Sequence, residues 1–163
     1  MKRYGIFLLS LISVSIGWAE EEICFSFEDG NLQGWQIVEG KFGQLITDRN
    51  LELGRKGRKM AKVGKWFLST LDEKTSKGIT GNDGFIGKIE SPRFRLAAPE
   101  ISVRVGGGKG TGIYFAVCDA EGKILATARG ANSQVLEEKK FSLPDQVGKL
   151  TYFTVVDSAL GGW

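Results

Sequence analysis

The chain has no histidine among its 163 residues. That absence removes Ser-His-Asp and Cys-His catalysis, His-ligated zinc and any imidazole general base. Any chemistry is left to carboxylates or an oxygen-ligated metal, and the composition points away from most enzymes. Cysteine is scarce, with only Cys24 and Cys118. Export would permit a bridge between them, but spacing alone leaves a disulfide and two buried thiols equally open. Charge of one sign is also lacking: the formal net charge of +3 includes Lys2 and Arg3 and is too small to imply a nucleic-acid partner. Arg55, Lys56, Arg58, Lys59, Lys62 and Lys65 form a basic run with interleaved glycines, which reads as a solvated loop.

Only one apolar run is long enough to matter, and it stands at the start. Lys2 and Arg3 precede an uncharged stretch from Tyr4 to Ile16, and Gly17-Trp18-Ala19 then places small residues where a signal peptidase reads them. Residues 1–19 are therefore expected to be a cleavable secretory signal peptide. A membrane span needs about 20 apolar residues, and this run ends sooner, in Glu20, Glu21 and Glu22. No later segment could cross a bilayer as a helix, so no stable membrane anchor is expected. The protein is predicted to be secreted, periplasmic or extracellular. Residues 20–163 suffice for one domain in the range of roughly 100 to 150 residues.

Within that domain apolar and polar residues alternate with period two, as in strands with one buried face. Ile23, Phe25 and Phe27 share a face, as do Ile101, Val103 and Val105. Further strands are predicted over 35–38, 45–47, 66–70, 86–90, 93–96, 113–118, 124–128, 139–143 and 150–156. The stretch from Ile113 to Ala128 reads as a hairpin turning at Asp119-Ala120-Glu121-Gly122-Lys123. Gln134 to Lys140 admits a single helical turn. Twenty-three glycines against 3 prolines, with many short strands, predict an all-β, antiparallel, jelly-roll-like β-sandwich. The strong strand at Tyr152–Val156 is followed only by a short tail to Trp163. An unpaired edge there is one that proteins protect, so the sandwich is expected to lack its last strand in this chain.

Several landmarks fall in order: Phe27-Glu28-Asp29-Gly30 with Gly34-Trp35, then Gly87-Lys88-Ile89-Glu90-Ser91-Pro92-Arg93-Phe94, then Gly106-Gly107-Gly108. Ala128-Arg129-Gly130-Ala131-Asn132-Ser133, Val156-Asp157 and Gly161-Gly162-Trp163 complete the series. The series resembles the β-sandwich modules of carbohydrate-binding family 66, which accompany family 32 glycoside hydrolases. The resemblance covers nearly the whole exported part. It departs from the family where a Gly-His-Ile segment and a last strand bearing an Asp would follow Trp163.

The resemblance implies a non-catalytic accessory module that binds poly- or oligosaccharide, possibly of fructan type, with a catalytic domain elsewhere in the full-length protein. The alternatives are a structural or protein-interaction sandwich of a cell-surface protein, and a carboxylate-based glycoside hydrolase. Sugar hydroxyls need carboxylate, amide and guanidinium partners, and the ring's C–H face takes an aromatic. Glu28, Arg129, Asn132, Asp157 and Trp163 are the candidate ligand residues. Each has a competing structural reading. Trp35 is read as a core plug, Asn132 as a loop fixer, and Arg129 with Asp157 as a structural ion pair. Glu28 and Asp29 also offer oxygens for a structural Ca²⁺, the alternative being a simple turn at Asp29. The triple glycine lacks the strand-to-helix context of a phosphate loop and reads as a bend allowing close backbone approach.

Overall fold

The computed structural model describes residues 7–14, 23–48, 60–71 and 84–159. Its strands in chain order are β1 (Phe7–Val14), β2 (Cys24–Phe25), β3 (Gln36–Gly40), β4 (Ile46–Thr47), β5 (Phe67–Ser69) and β6 (Gly87–Glu90). There follow β7 (Phe94–Arg95), β8 (Glu100–Gly107), β9 (Ile113–Asp119), β10 (Ile124–Ala128), β11 (Ser133–Ser142) and β12 (Leu150–Asp157). The fold is all-β, and every strand pair is antiparallel. One six-stranded sheet runs β11-β8-β1-β5-β4 with β2 beside β1; the other runs β10-β9-β12-β6-β3 with β7 beside β12.

Period two decides which side chains meet between the sheets. Ile101, Val103 and Val105 of β8 in the first sheet, and Phe115, Val117, Phe153 and Val155 of β9 and β12 in the second, belong to one buried cluster. Phe153 stands at its centre, with ring centroids 4.8 Å from Phe94, 5.3 Å from Phe115, 6.0 Å from Phe25 and 6.4 Å from Trp35. Trp35 is buried, as a core plug should be, although its indole N–H finds no acceptor among the described residues.

The hairpin β9–β10 forms as read, closing where the Asp119 carboxylate accepts the N–H groups of Glu121 and Lys123. The helical turn admitted at Gln134–Lys140 is not there. That stretch is inside β11, because its backbone pairs with β8 from Ser133 to Ser142. Ser91-Pro92, between β6 and β7, is a built-in kink: the Ser91 hydroxyl accepts Phe153 N–H at 2.9 Å and donates to the Pro92 carbonyl. The cysteines do not meet. Cys24 lies in β2 of the first sheet, Cys118 is a buried thiol in β9 of the second, and no bond joins them.

Phe7–Val14, expected as the apolar core of the signal peptide, is described as β1 between β8 and β5, with Leu9 fully buried. The junction after Ala19, the basic residues 55–59 and the tail bearing Trp163 lie outside the described residues.

Candidate functional site

Of the residues singled out from sequence, Glu28 and Asp29 belong to a turn. Phe27, buried and at φ 61°, accepts a bond from Gly30 N–H, and Asp29 Oδ1 accepts Asn31 N–H. The exposed Glu28 carboxylate accepts Lys65 N–H at 2.9 and 3.0 Å and Trp66 N–H at 3.0 Å. Its oxygens therefore face N–H donors, whose positive ends oppose a cation in the same place. Among the described residues no three acidic, histidine or cysteine side chains gather as a metal site needs. Glu28 is a clasp between the first turn and the approach to β5. Glu28→Ala is expected to cost about 1–3 kcal/mol of unfolding free energy in urea titration, with sugar retention, if present, unchanged.

Asn132 also fixes backbone. It sits at φ 55°, and its Oδ1 accepts Lys109 N–H at 2.9 Å. The adjacent Gly130 presses on Gly107, where a Cβ would stand 2.3 Å from the Gly107 carbonyl oxygen. The glycines of this loop pair thus permit a contact that no side chain allows.

Arg129 and Asp157 do not pair, because they lie on opposite faces of the second sheet. Asp157 follows Phe153 and Val155 on the inner face and is buried. Its Oδ2 accepts the Thr70 hydroxyl at 2.6 Å, just past β5, and its Oδ1 accepts Ala159 N–H. Burial pushes its carboxyl above the usual carboxylate range, with both hydrogen bonds pulling the other way. Arg129 instead lies over the Tyr114 ring, 5.7 Å from its centroid, on the outer face.

That outer face gathers the most chemistry. Register sets Lys88 beside Val156 and Tyr114, Glu90 beside Thr154 and Ala116, and Tyr152 beside Cys118. Ala116, Cys118 and Thr154 are buried there. Ala116 and Cys118 form one packed cluster with Tyr152, and Tyr114 lies against it. Arg93 stacks on Tyr152 at 4.6 Å, and Lys88 Nζ meets Glu90 Oε1 at 2.6 Å. The Glu90 hydrogen bond holds the Lys88 ammonium above its ordinary pKa, while burial pushes both the Cys118 thiol and the Tyr152 phenol upward.

The chain matches no protein-family model, no curated protein and no solved structure.

The likeness to carbohydrate-binding family 66 accordingly rests on the ordered landmarks, most of which have structural work to do. Gly34 abuts Pro92, Trp35 fills the core, and Ser91 bends the chain. Among the described candidate ligand residues, only Arg129 lies with this outer-face cluster, over Tyr114. Sequence reasoning passed over Lys88, Glu90, Arg93, Tyr114 and Tyr152. A signal existed for the two tyrosines, which occupy alternate positions of strongly apolar strands on the side away from the core.

A depression of about 430 Å³ lies at the end of β9 and β12 marked by Asp119 and Leu150, between Arg95, Asp119, Glu121, Gln146 and Lys149. Its polar groups are partly engaged, with Asp119 capping the hairpin turn and Arg95 donating to the Gly148 carbonyl.

Proposed function

We propose that this domain is a non-catalytic carbohydrate-binding module of an exported protein, and that the outer face of the second sheet receives the sugar. The observation that carries the reading is the juxtaposition of Arg93, Arg129, Lys88 and Glu90 with two tyrosines around small buried side chains. Guanidinium forks and a carboxylate suit vicinal hydroxyls. The partly exposed Tyr114 ring suits the C–H face of a pyranose or furanose. The ligand class is poly- or oligosaccharide, with fructans the first to try. The module would hold a catalytic domain of the full-length protein near its polymer.

Depletion against insoluble levan, inulin and a panel of plant and microbial polysaccharides tests this. At least one polymer is expected to retain the protein. Arg129→Ala and Tyr114→Ala are expected to weaken retention by about tenfold or more, equivalent to about 1.4 kcal/mol, with little change in melting temperature. No retention by any polymer, or retention indifferent to both changes, would sink the reading.

A protein-interaction role has one observation in its favour. The strand β3 is exposed throughout and carries Ile37 and Val38, 42% and 49% exposed, and among the described residues it pairs only with β6.

A further inference from the structure

We propose that the space between β8 and β5 is a strand-acceptor slot, which in the exported domain takes an extended segment of another polypeptide, antiparallel to β8. The present occupant shows what fits. Register sets Leu9, Ile12 and Val14 opposite Val105, Val103 and Ile101, all three of which face the core. Leu8, Ser10 and Ser13 fall opposite Gly106, Arg104 and Ser102, with a bulge between Ser10 and Ile12. The slot thus calls for apolar residues opposite Ile101, Val103 and Val105 and is less selective at the alternate positions.

The same residues are claimed twice. As the apolar core of a leader they leave on cleavage after Ala19; as β1 they link the two halves of the first sheet. Among the described residues, their departure strips β8 of one of its two partners from Ile101 to Gly107, β5 of one side, and β2 of the one strand it pairs with. It also opens the core where Leu9 lay, fully buried. A long β8 edge beside an apolar cleft is what proteins cover, and strand addition covers it with main-chain hydrogen bonds and side-chain pockets together. A second copy of the emptied domain fits less well. Its own β8 would pair edge to edge, yet its apolar side chains already face its own core, so nothing would fill the space of Leu9. The proposal rests on the leader reading, because only departure of residues 7–14 empties the slot, and it is independent of sugar binding.

The test begins from the full chain, with a specific protease site inserted between Ala19 and Glu20 and cut after folding. The leader fragment is expected to co-elute with the body on gel filtration, one to one. It should exchange for a labelled peptide of residues 4–16, while a peptide carrying Leu9→Asp and Ile12→Asp should bind at least about tenfold more weakly. Three results would overturn the proposal: loss of the fragment from a body that keeps its β spectrum and melting temperature, equal uptake of both peptides, or dimerisation of the emptied body without peptide uptake. The chain is also to be secreted behind its own leader and weighed by mass spectrometry. A mass beginning at Glu20 is expected, whereas an exported chain still carrying residues 1–19 would make β1 a permanent strand and end the proposal.

Discussion

Phe153→Ala is expected to lower the unfolding free energy by about 3–5 kcal/mol, the range for emptying a buried phenylalanine site. Phe153 has no exposed surface and touches rings from β2, β7 and β9 as well as Trp35. The site cannot collapse easily, because those rings hang from four separate segments on two sheets. That range already contains the loss of the ring pairs, which favours its upper end. A domain of this size holds only about 5–15 kcal/mol in total, so the variant should unfold at a far lower urea concentration. Phe153→Leu, which leaves much less empty volume, should cost less than half as much. Equal costs for the two, or a loss below about 1 kcal/mol for alanine, would mean that the sheets are not joined through this ring.

The strand that carries Phe153 was legible in the sequence, as most of the fold was. Inward sets were read directly where residue type alternates with the pleat, as at Ile101, Val103 and Val105, whereas Tyr152–Val156 and Ile113–Cys118 are so apolar that they read as strands without showing which face is inward. β11 was harder. Val135 and Leu136 are followed by Glu137, Glu138, Lys139 and Lys140, a polar run without period two, and its strand conformation comes from pairing with β8. Edge and outer positions leave composition free, and there local pattern fades. β1 presents the opposite difficulty. Its residues are so uniformly apolar that leader and central strand make the same demand on them, and only pairing partners distinguish the two.

The candidate site was less legible, for a related reason. Landmarks such as Gly34-Trp35, Ser91-Pro92 and Gly106-Gly107 stand out because backbone geometry requires them, and geometry is what they serve. The outer-face cluster is assembled across β6, β9 and β12 by register, from residues that are individually ordinary. Arg129 was found because it lies in a loop, whereas Tyr114 and Tyr152 were hidden inside strands.

Asp157 is the place where stability and a binding role separate. Its partners among the described residues are the Thr70 hydroxyl and the Ala159 N–H, neither of them a cation. Burial raises its pKa above the ordinary 3.8. As pH climbs past that ordinary value, the unfolded chain gives up the proton first, so unfolding becomes more favourable until the folded pKa has also been passed. The ionised carboxylate therefore costs stability near neutrality, and that cost disappears as pH falls below the ordinary carboxylate range. Asp157→Asn keeps an oxygen for the Thr70 hydroxyl and removes the charge. Urea titrations should show it more stable than the parent at neutral pH, with the advantage shrinking steadily on acidification. Thr70→Val should act in the other direction. It takes a donor from a buried carboxylate and is expected to cost about 1.5–3 kcal/mol near neutrality, and less once the carboxyl is protonated. A Thr70→Val cost independent of pH, or an Asp157→Asn variant less stable than the parent across the whole range, would contradict this account. The asparagine variant also separates the two readings of Asp157 in the retention assay. A purely structural Asp157 predicts a tighter fold and unchanged sugar binding, whereas a carboxylate kept for its ligand predicts a tighter fold that no longer holds the polymer.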